Sequence, residues 1–132
     1  MEKKLYQGSC HCGRVKFEAE LNLAEGTMKC NCTRCWKKRA WTAWASADGF
    51  RILQGADELS AYKAGHVKGH GGFCKHCGVE VFNWVQAAEW NDGEYVSISI
   101  AAIDDLEAAT LLAAPVQYCD GRADNWWRDQ RL

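Results

Sequence analysis

Apolar and polar residues alternate along several short stretches of the chain. The alternation is clearest at residues 15–19, 79–82 and 95–100. A period of two is typical of β-strands that bury one face. Weaker patterns predict further short strands at residues 40–46, 50–53, 59–63 and 116–118. The pattern therefore predicts a mainly β protein.

Signals for helices are few. One helical turn is predicted from Thr33 towards Lys38, and the acidic residues at 104–107 could begin a short helical turn before Leu111. Twelve glycines and the single proline are scattered as turn residues, and no low-complexity tract or linker separates them. Residues 1–132 are therefore expected to form a single domain, which at this length can bury a core of its own.

The charges of the chain nearly cancel. Sixteen Lys and Arg residues face seventeen Asp and Glu residues, so no overall field would draw the protein onto nucleic acid or an anionic membrane. No segment approaches the roughly 18 consecutive apolar residues that a membrane span needs, and the N-terminus does not resemble a secretion signal. We therefore expect a cytoplasmic protein in which any basic site is a local cluster.

The seven tryptophans are many for a chain of this length. We expect most of these large rings to fill a thin β core, with substrate binding as the alternative. Trp36 is the exception, because it directly follows a cysteine that could bind metal and should lie close to any ion held there. The tryptophans are Trp36, Trp41, Trp44, Trp84, Trp90, Trp126 and Trp127.

Seven of the eight cysteines fall into three short clusters. Thiols stay reduced in the cytoplasm, so metal binding is favoured over disulfides. Cysteines two residues apart in an extended chain also place their Cα atoms near the limit of about 7 Å for a disulfide. The clusters are Cys10-His11-Cys12-Gly13, Cys30-Asn31-Cys32-Thr33-Arg34-Cys35 and Cys74-Lys75-His76-Cys77-Gly78.

Ligand counting predicts two zinc sites of different kinds. A structural zinc site closes all four tetrahedral positions, whereas a catalytic site leaves one position open. The two outer pairs supply four thiolates, which leaves three cysteines in the middle cluster, here called the tripod, for a second ion. In an alternative, Cys119 or a histidine closes the tripod and both sites are structural; otherwise Cys119 is a buried or half-buried reduced thiol. The outer pairs are Cys10, Cys12, Cys74 and Cys77, and the tripod is Cys30, Cys32 and Cys35.

Glycines and histidines accompany the clusters. Gly13 and Gly78 follow the two outer pairs, where a left-handed turn would let backbone N–H groups point at sulfur. His11 and His76 are interpreted as solvated spacers between ligands. A glycine-rich segment that contains His66 and His70 predicts either a hairpin loop or a mobile flap over the open zinc that could carry a proton.

The order and spacing of the clusters resemble one known family. Residues 30–37 in the middle, residues 73–78 downstream and the ending at residues 118–126 are similar to the glutathione-dependent formaldehyde-activating enzyme family, which also includes centromere protein V. The resemblance spans roughly residues 8–126. It implies a β-tent fold of layered short antiparallel sheets stabilised by zinc, in which the outer pairs form the structural site and the tripod the catalytic site.

The resemblance also implies an activity, the addition of glutathione to formaldehyde that gives S-(hydroxymethyl)glutathione. This step forms a carbon–sulfur bond and is classed with the lyases. Zinc at the tripod could hold the glutathione sulfur as a thiolate, and the neighbouring basic run could bind its carboxylates. This run consists of Arg34, Lys37, Lys38 and Arg39. Two alternatives stay open: this basic run is only a solvated surface, and the protein is a non-catalytic zinc-stabilised module that binds a protein or nucleic acid.

Overall fold

A computed structural model describes residues 3–62, 71–85 and 93–123, together with the backbone of residues 125–129. Several expectations fall outside this part of the chain. They are the glycine-rich loop with His66 and His70, the end of the predicted strand at Lys63, and the side chains of Trp90, Trp126 and Trp127.

The described residues contain many short strands and two short helices. The helices are α1 (Thr33–Lys38) and α2 (Ala108–Ala113), and single 3-10 turns lie at Leu23–Glu25, Ala47–Gly49, Ala56–Glu58, Ile100–Ala102 and Gly121–Ala123. The strands are β1 (Lys4–Ser9), β2 (Lys16–Leu21), β3 (Thr27–Cys30), β4 (Thr42–Ser46), β5 (Phe50–Gln54), β6 (Leu59–Ser60), β7 (Gly71–Cys74), β8 (Glu80–Val85), β9 (Tyr95–Ser99), β10 (Val116–Asp120) and β11 (Asn125–Asp129). The mainly β fold predicted from the sequence is confirmed.

The strands form two sheets. The small sheet has the order β1-β2-β5, and the large sheet has the order β11-β10-β3-β4-β9-β8-β7-β6. Most neighbours are antiparallel, as expected, but β3 and β10 are parallel, with Cys30 opposite Cys119. This pairing joins residues that lie far apart in the sequence, because parallel neighbours cannot be linked by a tight hairpin.

The core lies between the two sheets and is built on phenylalanine. Phe17 of the small sheet and Phe82 of the large sheet are both fully buried, and their ring centroids are 5.5 Å apart. Phe50 adds a second contact across the sheets, 4.6 Å from the ring of Phe82. The alternating strands predicted around residues 15–19 and 79–82 thus place their apolar faces against each other.

The described tryptophans contribute less to this core than expected. Trp41 and Trp84 are partly buried against it, whereas Trp36 and Trp44 are 52% and 44% exposed. Trp44 packs instead against Tyr95 on the outer face of the large sheet, at a centroid distance of 4.4 Å. Three smaller Phe rings and aliphatic side chains therefore suffice to fill the narrow space between the sheets.

No alternation of apolar and polar residues predicts strand β1. On this strand a glycine takes a position in the core. Tyr6 and Gly8 face inwards on this strand. A Cβ atom at Gly8 would lie 2.2 Å from the Phe17 ring and 2.6 Å from the carbonyl oxygen of Ala102. Gly8 is therefore not a turn residue, because its missing side chain makes room for the ring of Phe17.

The helices fall close to their predicted places. The predicted turn from Thr33 to Lys38 is observed as α1. The second helix follows the acidic segment as expected, with Glu107 at its N-cap, but it continues past Leu111 to Ala113. Asp104 and Asp105 are bound instead to β1, where they accept hydrogen bonds from the Ser9 hydroxyl (2.6 Å) and the Gln7 backbone N–H (3.0 Å). None of the helices in the described residues has the length and apolar content to span a membrane.

The substitution Gly8→Ala should destabilise the protein by about 1–3 kcal/mol, since the new methyl group must displace the buried Phe17 ring or the backbone at Ala102. Urea unfolding of the zinc-loaded protein would measure the loss. Gly93→Ala is the matched control, because a Cβ there meets no atom within 4 Å. Equal stabilities of the two variants would contradict the close packing at Gly8.

Candidate metal centres

Two similar turns carry the outer cysteine pairs. Each turn begins with a cysteine whose N–H donates to a valine carbonyl beyond the turn, from Cys10 to Val15 (3.1 Å) and from Cys74 to Val79 (3.0 Å). Gly13 (φ +81°) and Gly78 (φ +78°) close them in the left-handed region. The space around both glycines is open, so it is the backbone conformation that favours glycine here.

The two turns direct backbone N–H groups at sulfur, as expected, but these are not the N–H groups of the glycines themselves. Gly13 donates to the carbonyl of Cys10 (3.2 Å) and Gly78 to that of Cys74 (2.7 Å). The sulfurs accept hydrogen bonds from residues that follow the glycines. The N–H of Val15 lies 3.3 Å from the Cys10 sulfur, and the N–H of Val79 donates to the Cys77 sulfur. The turns thus direct backbone dipoles at sulfur from two residues beyond Gly13 and from one residue beyond Gly78.

The two turns bring four sulfurs to one point, here called the closed cluster. The sulfurs of Cys10, Cys12, Cys74 and Cys77 all lie within 4.8 Å of one another. The Cys12 sulfur is 3.6 Å from that of Cys10 and 3.7 Å from that of Cys74. A tetrahedral zinc with Zn–S bonds of about 2.3 Å requires sulfurs about 3.8 Å apart, whereas a disulfide requires about 2.05 Å. The closed cluster therefore has the dimensions of a four-thiolate zinc site.

The closed cluster connects the two sheets. Cys10 and Cys12 follow β1 of the small sheet, whereas Cys74 ends β7 of the large sheet and Cys77 lies in the turn before β8. Cys10 and Cys74 are buried, and Cys12 is exposed. An ion held here would cross-link residues that are 62 positions apart in the sequence.

The surroundings of the closed cluster favour the thiolates of Cys77 and Cys12. At Cys74 the N–H of Cys77 also favours the thiolate, but burial and the Cys12 and Cys10 thiols outweigh it and raise the pKa. Hydrogen bonds from the N–H groups of Val79 and Cys12 lower the pKa of Cys77 to about 6. The backbone and side chain of Arg14 lower the pKa of Cys12, and the same contact raises the pKa of the Arg14 guanidinium. Arg14 thus offsets part of the negative charge that four thiolates leave on one divalent ion.

The tripod is held by α1 and the strand before it. Cys30 ends β3, and Cys32 is the N-cap of α1, where its sulfur accepts the N–H of Cys35 (3.4 Å). The N–H of Cys32 lies 3.4 Å from the Cys30 sulfur. The three sulfurs lie within 4.8 Å of one another, and all three residues are only half-buried. The group could hold a metal ion by three ligands and leave its outer side accessible.

The tripod thiols ionise unequally. Burial and, to a smaller extent, the neighbouring Cys32 together raise the pKa of Cys35 to about 12. Burial also raises the pKa of Cys30. At Cys32 burial acts in the same direction, but hydrogen bonds from the Cys35 backbone and from the Cys35 and Cys30 thiols outweigh it, so its pKa is lowered. Cys32 is therefore the first tripod thiolate to form.

A second layer of residues holds the loop between Cys30 and Cys32. The Asn31 side-chain amide donates to Asp120 (2.9 Å), and its oxygen accepts the N–H of Arg122 (3.1 Å). The N–H of Gly121 donates to the Cys30 sulfur, which favours its thiolate. We call these contacts the Asn31 clamp. Outer contacts of this kind orient metal ligands.

The predicted basic residues take different positions around the tripod. The Lys38 ammonium lies 2.8 Å from both carboxylate oxygens of Glu80, and its charge favours the thiolate of Cys35. Arg34 and Lys37 lie on α1 without an ion pair to any residue that the structure describes. Lys38 is thus already engaged by a carboxylate, whereas Arg34 and Lys37 are available to an incoming anion.

The remaining candidates lie outside both sulfur groups. Within the described residues, the metal-binding groups contain no histidine: His76 instead hydrogen-bonds Glu58 and lowers the pKa of that carboxyl. Cys119 is 1% exposed and lies beside Cys30 in the sheet, but its sulfur is not among the three that form the tripod. The alternative in which Cys119 closes the tripod is therefore not what the geometry shows.

Sequence reasoning missed the residues that support the clusters. Arg14, Asn31 and Asp120 act through hydrogen bonds to the ligands or to the ligand loop. Arg14 and Asn31 are immediate neighbours of the cysteine motifs, and that adjacency was the available signal. Asp120 lies 89 residues from Asn31, so only the parallel pairing of β3 and β10 reveals it.

The fold and the two sulfur clusters define a mainly β protein with one closed four-cysteine group and one half-exposed three-cysteine group, both able to hold zinc. The sequence profile of the family described as "Glutathione-dependent formaldehyde-activating enzyme" matches residues 5–120, and the chain belongs to this family.

A solved structure shares the fold. A crystal structure of a Rhodobacter sphaeroides protein, a structural genomics target, superposes with a TM-score of 0.67 at 28% sequence identity. The match covers 84% of this chain and 99% of that chain. The architecture described above is therefore found in an experimental structure of nearly the same extent.

Substituting a cysteine of each cluster should have different consequences. Cys77→Ser removes a ligand that ties the two sheets together, so we expect an unfolded or aggregated protein. Cys32→Ser removes a half-buried ligand at the start of α1, so we expect the cooperative unfolding transition to persist with one zinc per chain instead of two. Circular dichroism and metal analysis would test both. A folded Cys77→Ser protein with an unchanged melting temperature would contradict the structural role of the closed cluster.

Zinc should leave the tripod at a higher pH than it leaves the closed cluster. Protons compete with the metal for thiolates, and they compete at higher pH where the thiol pKa is raised. In the tripod, burial raises the pKa of Cys35 to about 12 and also raises the pKa of Cys30. In the closed cluster, the pKa of Cys77 is about 6. A chromogenic chelator should report two steps of release as the pH falls, with the first step absent in Cys32→Ser. One single step for both ions would contradict this prediction.

Proposed function

We propose that the protein is a zinc-dependent enzyme of the carbon–sulfur lyase class that adds a thiol to formaldehyde or a related aldehyde. Glutathione is the thiol that the family suggests, and the reaction would then be that of an S-(hydroxymethyl)glutathione synthase. The observation that carries the proposal is the tripod. Its three sulfurs converge and its residues are only half-buried, so an ion held there would keep one coordination position for a fourth ligand.

The reaction joins the thiol sulfur to the carbonyl carbon. Zinc held by the tripod would supply an open coordination position where a thiol can lose its proton. The carbon–sulfur bond forms as the carbonyl π-bond opens, and the oxygen takes up a proton, so the thiol and the aldehyde combine without a leaving group. Holding both reactants at the tripod raises their effective concentration.

The residues of the chain have separate roles in this proposal. Cys30, Cys32 and Cys35 hold the ion, and the Asn31 clamp keeps the first two in place. Arg34 and Lys37 are proposed to face the substrate carboxylates. Lys38, bound to Glu80, is proposed to offset the charge of the tripod thiolates. The proposal also assumes a reducing compartment such as the cytoplasm, because oxidised sulfurs could not bind zinc.

Metal stoichiometry measured beside formaldehyde consumption tests the function. Wild-type protein with two zinc ions should accelerate glutathione-dependent loss of formaldehyde above the spontaneous rate, and Cys32→Ser should lower the acceleration at least 100-fold. A protein with two zinc ions and no acceleration by any thiol would refute the enzyme and favour the binding module. Lys16→Gln, an exposed substitution on the small sheet, is the control for general effects of charge.

A further inference from the structure

A pocket of about 180 Å³ lies directly beside the tripod. The sulfur-bearing residues Cys30 and Cys35 form one side of it, so a molecule whose sulfur reaches the tripod can extend into this space. The rest of the wall joins two cations to two indole rings. These residues are Lys29, Arg39, Trp36 and Trp41.

The pocket has a positive lining. Among the described residues that line it, Lys29 and Arg39 are cationic and none is acidic. Neither cation forms an ion pair with a carboxylate in the described part of the chain, in contrast to Lys38, which faces Glu80. The charge of this wall is therefore available to an anionic group of a ligand.

A chain of contacts fixes the position of Lys29. The Trp41 indole N–H donates to the hydroxyl of Thr27 (2.8 Å), and Thr27 is only 1% exposed. The Lys29 ammonium lies 4.4 Å from the centre of the Trp41 ring, at the distance of a cation–π contact. The indole thus keeps the ammonium at the pocket wall and leaves its N–H donors for a ligand.

Arg39 occupies a backbone position that normally favours glycine. It follows α1 with φ 54° and ψ 47°, and it is the one non-glycine residue with positive φ in the described residues. Glycine usually takes this position after a helix, because it avoids the strain that a Cβ atom causes there. Glycine would end the helix with less strain than arginine does. The arginine in its place puts a guanidinium in the wall of the pocket.

We propose that this pocket is a carboxylate subsite. Lys29 and Arg39 would bind a carboxylate of the substrate thiol while the sulfur of that thiol binds the ion held by the tripod. Both residues would then determine specificity for carboxylate-bearing thiols over neutral thiols. This inference rests on the proposed function. The subsite consists of Lys29 and Arg39, which line the pocket. Arg34 and Lys37, which lie on α1 and do not line the pocket, are separate from it.

Thiol binding to the cobalt-substituted protein tests the subsite without relying on turnover. The probes are 3-mercaptopropionate and glutathione, which carry carboxylates, and 2-mercaptoethanol, which is neutral. Arg39→Gly and Lys29→Gln should each weaken 3-mercaptopropionate about 10-fold, the size of a charge-assisted hydrogen bond, and leave 2-mercaptoethanol within about 2-fold. Glutathione weakened to the same extent as 3-mercaptopropionate would place one of its carboxylates in this subsite.

The variants guard against a loss of folding. Arg39→Gly removes the charge and relieves the left-handed strain, so its melting temperature should not fall. Arg39→Lys keeps the charge and should retain part of the preference for carboxylates. Lys16→Gln removes a distant cation and should change none of the affinities.

Two results would overturn the subsite, and they can be told apart. If all three thiols perturb the cobalt spectrum but Arg39→Gly and Lys29→Gln weaken them equally or not at all, the subsite is wrong while thiol binding at the tripod stands. If no thiol perturbs the wild-type spectrum at millimolar concentration, both the subsite and the proposed function are refuted.

Discussion

The convergence of four cysteine sulfurs from two sheets is the constraint on which the rest of the structure depends. The small sheet offers only one apolar face and three strands, and its contact with the large sheet rests on a few rings around Phe17 and Phe82. At the closed cluster, β1 and the β7–β8 turn meet within the dimensions of a single zinc ion. A metal ion bound at this point would supplement a thin core with a cross-link, much as disulfides do in small secreted domains.

The tripod differs because its ligands are local. Its three cysteines lie within six residues at one end of β3 and the start of α1, so the ion would close no long segment of chain. Its sulfurs are half-buried, and a positively lined pocket opens beside them. The spacing of the cysteines along the chain and their burial thus distinguish the two clusters. The closed cluster is placed to support the fold, and the tripod is placed to meet a ligand.

The sequence predicted the features that repeat locally and missed those that depend on distant contacts. Alternation located β2, β8 and β9, and ligand counting grouped the cysteines in the way that the structure brings them together. Strand β1 was missed, because Gly8 carries no side chain to reveal that it faces the core. The sequence places Arg39 in the basic run beside the tripod, for which carboxylate binding and a solvated surface are both open. Only the backbone angles show that Arg39 stands where glycine is usual.

The Asn31 clamp gives the two clusters different places in the order of assembly. The cysteines of the closed cluster all lie within residues 10–77, whereas the loop of the tripod is held by Asp120, at the end of β10, and by Arg122, in the turn that follows it. During synthesis, the sheets could be joined while the tripod still lacked its outer support. An ion that entered the tripod early would be weakly held and exchangeable, and the reactive site would mature only after β10 had docked beside β3.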